Sequence, residues 1–149
     1  MLKVNRRLDY GLTLMIALAN EAEGKAQPTS VLAEKLQIPL PFLHQIGHAL
    51  MQAKLIKASP GPHGGIRLSR AAKDITVLDI VETLEGSVNV LPCTDCAEEC
   101  PPDCEKIAVC YSRLAWLSLQ KIVSEHLAKL HLSDLARAKT VDELLDIMK

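Results

Sequence analysis

The sequence predicts a mainly α-helical chain carrying one small β-hairpin. Three observations carry that expectation. Aromatic residues make up only 3% of the 149 positions, so the core must be built from Leu, Ile, Val and Ala, a composition that favours helices over a β-sandwich. Apolar residues recur at three- and four-residue spacing along most of the chain. A single segment, "LIKASPGPHGGIRLSR", instead has two short alternating runs around a turn rich in Gly and Pro.

The first helix is expected in "LDYGLTLMIALANEAEG", with Leu8, Leu12, Met15, Ile16 and Ala19 as its apolar stripe and Gly24 as its stop. A short second helix runs to about Leu36, capped by Thr29 or Ser30. Pro39 and Pro41 then enforce a turn, and Pro41 suits the first turn of a third helix, "PFLHQIGHALMQAKLI", with Leu43, Ile46, Leu50 and Met51 on its apolar face. Two short helices joined by a tight turn make a helix-turn-helix pattern. Strands at residues 55–59 and 66–69 flank "PGPHGG", a loop tip with three Gly and two Pro around His63. A hairpin directly after a helix-turn-helix makes a winged helix-turn-helix.

Farther along, "TVLDIVETLEG" reads as a helix with a Thr76/Asp79 capping pair and a Gly86 stop. "KIAVCYSRLAWLSLQKIVSEHLAKLH" is a long amphipathic helix. "LSDLARAK" and "TVDELLDIMK" are short terminal helices, the last with a Thr140/Glu143 capping box. The expected organisation is a winged helix-turn-helix part over 1–73 and, over 74–149, a cysteine loop (about 87–105) with the long helix, in one continuous domain.

No run of about 18 uninterrupted apolar residues is present, so no membrane span is expected. Basic residues before the first apolar run imitate a secretory leader, but Asp9 interrupts it and no small-residue cleavage site follows, so a mature first helix of a cytoplasmic protein is expected. The overall net charge of −1 hides an asymmetry. Residues 1–73 hold ten Lys/Arg and four acids, whereas 74–149 hold seven and fourteen. A basic half joined to an acidic half implies an anionic partner for the first half.

A recognition helix lies in the DNA major groove with its N-terminal side chains on base edges. Here those positions are Phe42, His44, Gln45 and His48, and Gln45 can pair bidentately with adenine. Thr29, Ser30 and the N–H groups of their helix can hold a phosphate. Lys54, Lys57 and Arg67 flank the hairpin and can add phosphate contacts, which give salt sensitivity but no sequence choice. The bland reading is a solvated helix face and scattered surface lysines; the winged-helix context weighs against it.

All five cysteines fall in "CTDCAEECPPDCEKIAVC", residues 93–110, with spacing C-x2-C-x3-C-x3-C-x5-C. Clustered thiols in a cytosolic chain favour a metal or cluster over disulfides. Zinc usually takes two C-x2-C knuckles and only Cys93/Cys96 supplies one, whereas iron–sulfur clusters accept looser loops. Structural zinc and a metal-free thiol switch remain alternatives. No general acid–base set and no nucleotide-binding loop is present, so the chain is not expected to be an enzyme. Other classes to separate are a small iron–sulfur carrier and a protein-interaction adaptor without DNA binding.

Five segments, "LDYGLTLMIALA", "LAEKLQIPLPFLHQI", "GPHGGIRLSR", "ITVLDIVETLEG" and "CEKIAVCYSRLAW", together resemble the Rrf2 family of bacterial winged-helix transcription regulators. The likeness covers nearly the whole chain and weakens after about residue 135. It includes the wing Gly61–Ile66 and Cys110 six residues before Trp116. The resemblance implies a homodimer joined through the long helix, a palindromic operator on double-stranded DNA, and one iron–sulfur cluster (2Fe–2S or 4Fe–4S) per subunit on three cysteines, though the family also has cluster-free members. It maps the C-x5-C pair onto Cys104 and Cys110, with Cys96 as first ligand and Cys93 and Cys100 as alternatives. It places Asp9 as a possible fourth ligand to the partner subunit's cluster. Two departures stand out. Arg113 sits where one branch has a ligating His, which argues against that branch's ligand set. Pro60 replaces an Arg that relatives often carry before the wing's Gly-Pro, where it can enter a narrow minor groove. The wing tip then offers His63, with Gly64 beside it. The expected function is a DNA-binding regulator that senses iron, redox state or nitric oxide.

Overall fold

A computed structural model describes residues 4–22, 24–89 and 112–149. Its first helix, α1 (Arg6–Ala19), starts at Asn5, whose side-chain oxygen accepts from the Leu8 N–H at 2.9 Å. The helix ends at Ala19, not near Gly24, which lies in the following connection with φ +80°. Its buried face is Leu8, Gly11, Leu14, Met15 and Leu18. The expected stripe is therefore rotated: Leu12, Ile16 and Ala19 are only partly buried at the flank of the core. The reason is Gly11. A Cβ there would run into the Leu84 side chain, so another helix crosses α1 at the one residue that allows close approach.

α2 (Thr29–Leu36) and α3 (Leu40–Gln52) form the helix-turn-helix. α2 ends on Gln37, a non-glycine residue in the left-handed region with φ 53°. The Gln37 N–H donates to the Glu34 carbonyl and the Ile38 N–H to the Ala33 carbonyl, which closes the helix end while Ile38 plugs into the core. Pro39 starts α3 and Pro41 lies in its first turn, as the sequence suggested. The capping role expected of Thr29 or Ser30 is not found. Pro28 takes the cap position, no side chain caps the helix, and Thr29 and Ser30 are its first two residues.

β1 (Ile56–Ser59) and β2 (Gly65–Leu68) pair antiparallel; β1 starts one residue later than expected and β2 is displaced by one residue towards the turn. Lys57 faces Arg67 across the ladder, and Ile56 and Ile66 point into the core. Gln27 adds a bridge to the outer side of β2, with paired backbone bonds to Ile66 at 2.9 and 2.8 Å. α4 (Val77–Glu85) has the expected Thr76/Asp79 capping box, with bonds of 3.1 and 3.0 Å, and stops at Gly86 with φ +83°. α5 (Arg113–Lys129), α6 (Leu132–Arg137) and α7 (Val141–Ile147) complete the chain. At α7 Thr140 accepts from Glu143, but Glu143 reaches back to the Lys139 N–H instead of closing a box on Thr140.

The core is one cluster drawn from both halves of the sequence, from Leu8 through Leu50, Ile80 and Leu84 to Leu132. α4 packs against α1, α3 and α5. The end of α5 is pinned to the start of α4: Val77 donates to the Leu130 carbonyl at 2.8 Å and Leu132 to the Ile75 carbonyl at 2.9 Å.

Candidate nucleic-acid interface and metal centre

The amphipathic period of α3 divides its residues cleanly. Leu43, Ile46, Gly47 and Leu50 are buried, and Phe42, His44, Gln45 and His48 are exposed together on the other side. Four side chains able to stack or hydrogen-bond thus project from the first turns of this helix. Phe42 is steadied from α1: the Tyr10 ring meets it edge-on, with centroids 6.2 Å apart and planes at 78°.

The first N–H groups of α2 have no side-chain cap, and Ser30 is exposed there. Such open donors, with the positive end of the helix dipole, suit a phosphate. The backbone of Gln27 links this helix start to the wing. The wing is held close: a Cβ on Gly65 would strike the Gln27 carbonyl, and one on Gly64 the Ser59 carbonyl. Gly64 therefore has a steric reason to be glycine, independent of any ligand. His63 is exposed at the tip.

Lys57 and Arg67 come together as a cross-strand pair at the wing, whereas Lys54 stands apart. It follows the far end of α3 with φ +59°, ten residues beyond His44, which is about 15 Å along the helix axis. Tyr10 and Gln27 were missed from the sequence. Tyr10 lies off the expected apolar stripe of the first helix, and Gln27 acts on the wing through its backbone, which leaves no side-chain signal.

Cys93, Cys96, Cys100, Cys104 and Cys110 lie outside the described residues, as does most of the expected loop. Among the described residues no group of three or more metal-ligating side chains occurs. Asp9 is in the first turn of α1, exposed, and its carboxylate makes no hydrogen bond or ion pair among the described residues. On the other side of the loop Arg113 begins α5. Asn89, buried at the start of the expected loop, accepts a hydrogen bond from the side-chain amide of Gln120 on α5 at 3.2 Å. α5 itself has no buried residue; Leu114, Trp116, Leu119 and Ile122 are 78%, 39%, 42% and 61% exposed. No helix among the described residues is long and apolar enough to cross a membrane.

A family model described as Rrf2, iron-dependent transcriptional regulator, matches residues 4–138. The chain belongs to the Rrf2 family. It is 31% identical over 138 residues to the protein rrf2 of Nitratidesulfovibrio vulgaris strain Hildenborough, covering 91% of this chain and 88% of that one. It is 28% identical over 145 residues to the HTH-type transcriptional regulator IscR of Vibrio atlanticus, covering 97% and 81%. Among solved structures it is similar to CymR, the global cysteine regulator of B. subtilis, with a TM-score of 0.74 and 30% identity over 91% of this chain and 97% of that one. It is also similar to T. potens IscR, with a TM-score of 0.69 and 28% identity over 90% and 85%. The winged-helix fold and the role of transcriptional regulator, not enzyme, follow for this Rrf2 protein.

Proposed function

We propose that this regulator binds a palindromic operator as a homodimer in the cytoplasm and changes its affinity with the state of an iron–sulfur cluster on the cysteine loop. The observation that carries the reading is the pairing of an exposed base-reading face on α3 with five thiols gathered within residues 93–110. On DNA, Phe42, His44, Gln45 and His48 face base edges, Thr29 and Ser30 with the open α2 donors hold a phosphate, and Lys54, Lys57 and Arg67 add charge. His63 and Gly64 bring the wing tip to the minor groove.

The donor set suits a cluster. Cys96, Cys104 and Cys110 supply three soft thiolates, with Cys93 and Cys100 as alternatives. The Asp9 carboxylate makes no hydrogen bond or ion pair among the described residues, which suits a role at the partner's site. When bound, the cluster supplies a centre that responds to iron loss, oxidation or nitric oxide. The chain carries that response. The loop leaves α4 through Gly86–Asn89, and Gln120 of α5 donates to Asn89 at the loop's start, linking it to that helix. α4 packs on α3, so a change at the loop bears on the recognition helix. The exposed apolar side chains of α5 suit a second copy, since burying a fully exposed Leu or Ile contributes about 1.5–3 kcal/mol and these partly exposed ones a share of it. A differential of about 1–3 kcal/mol between states would change operator affinity 5–150-fold.

The test is a fluorescence titration of the anaerobically purified protein with duplex DNA over a range of salt, in metal-loaded and metal-free states. Salt-dependent binding that differs between states supports the reading. Absence of salt-dependent binding in every state would reject it in favour of an adaptor. The likeness to a solved oxidized form of Staphylococcus aureus CymR, at TM-score 0.71 and 27% identity, favours one second reading, a metal-free thiol switch in the same loop. A loop holding structural zinc is separated from both by metal analysis.

A further inference from the structure

A cleft of about 560 Å³ opens between the end of α1, the connection to α2 and the base of the wing. That volume is in the range of small-ligand sites. Five cationic side chains line it, Lys25, Lys57, Arg67, Arg70 and Lys73, against one carboxylate, Glu21. Glu21 is already engaged, by Lys35 at 3.3 Å and the Gln27 amide at 3.1 Å. Arg70 is paired with Asp79 at 3.1 Å.

The other four cations have no ion pair among the described residues. Arg67 donates from Nη1 to the Gly24 carbonyl at 3.3 Å, and its Nε is buried with no hydrogen-bond partner. A buried donor without an acceptor costs free energy, and like charges round a concavity repel unless an anion joins them. The cleft floor is apolar, from Leu18, Leu68, Ala71 and Ala72. A bare inorganic ion would leave that floor wet.

We propose that this cleft binds a small organic oxyanion, a phosphate monoester or carboxylate carrying an apolar group. The anionic head sits among Lys25, Lys57, Arg67 and Lys73, and the apolar part covers Leu18 and Leu68. The concave site, set at the base of the wing away from the tip at His63, suits a free ligand better than the backbone of a duplex. Because Lys57 and Arg67 are also proposed phosphate contacts, an occupied cleft lowers DNA affinity; that consequence rests on the DNA reading, whereas the site does not.

The test is phenyl phosphate titrated into the full chain and followed by amide NMR shifts of Gly24, Ser69 and Ala71, beside inorganic phosphate and a Lys25→Gln/Lys73→Gln variant. The expected result is saturable shifts at these amides near about 1 mM, weaker with inorganic phosphate and at least tenfold weaker in the variant. Shifts that do not saturate, that centre on Thr29 and Ser30, or that persist in the variant would overturn the site. The same variant is titrated with duplex DNA in varied salt. An unchanged salt slope supports a free ligand; a slope smaller by about two would assign the cleft to DNA phosphates and overturn the proposal.

Discussion

Tyr10 on α1 holds Phe42 on α3 through an edge-on ring contact at 6.2 Å. It lies next to Asp9, the candidate ligand, and touches the first turn of the recognition helix. An aromatic pair contributes about 0.5–1.5 kcal/mol beyond its buried area. Tyr10→Ala is expected to cost about 1–2 kcal/mol of stability and to reduce operator affinity several-fold. Tyr10→Phe keeps the ring and should leave both close to wild type. Thermal unfolding and DNA titration of the two variants check this.

Gly65 lies at φ +150° against the Gln27 carbonyl. Gly65→Ala must push the wing off the backbone that starts α2, at an expected cost of about 1–3 kcal/mol. DNA affinity should fall further than stability, because wing and helix-turn-helix lose their common anchor. Denaturant unfolding and DNA binding measured on one preparation separate the two effects.

Base contacts and phosphate contacts leave different marks on binding. Gln45→Ala should lower specific affinity by about 1–3 kcal/mol and leave the salt slope unchanged. Lys57→Gln should weaken binding to every sequence and reduce the slope by about one. Titrations with operator and random DNA at several salt concentrations read both.

The face of α5 that stays exposed among the described residues predicts a dimer. Ile122→Glu places a charge among Leu119 and its neighbours and should yield a monomer in sedimentation, with operator affinity reduced more than tenfold. A variant that stays dimeric would move the subunit interface away from α5.

Much of this architecture was legible in the residues because local chemistry and tertiary packing agree. Thr76, Asp79 and Gly86 mark both ends of α4, and Pro39 with Pro41 marks the turn into α3. The apolar stripe of α1 was misjudged because hydrophobicity alone hides Gly11, the residue that lets Leu84 approach. The caps expected from Thr29 and Ser30 failed because the chain enters α2 through Pro28, one residue earlier. The Gln27 bridge was illegible, since every residue type except proline can make the same backbone bonds. The basic cleft has sequence pieces at 25, 57, 67 and 73 that only the fold collects.

The most direct test of the central claim is anaerobic purification followed by an absorption spectrum, with iron, sulfide and zinc analysis on the same sample. The account predicts a brown protein with near-equal iron and sulfide per chain, lost in Cys104→Ala and Cys110→Ala and altered in Asp9→Ala. A colourless protein with stoichiometric zinc, or with no metal after anaerobic cluster reconstitution, would contradict it and leave a zinc-stabilised or thiol-switched regulator.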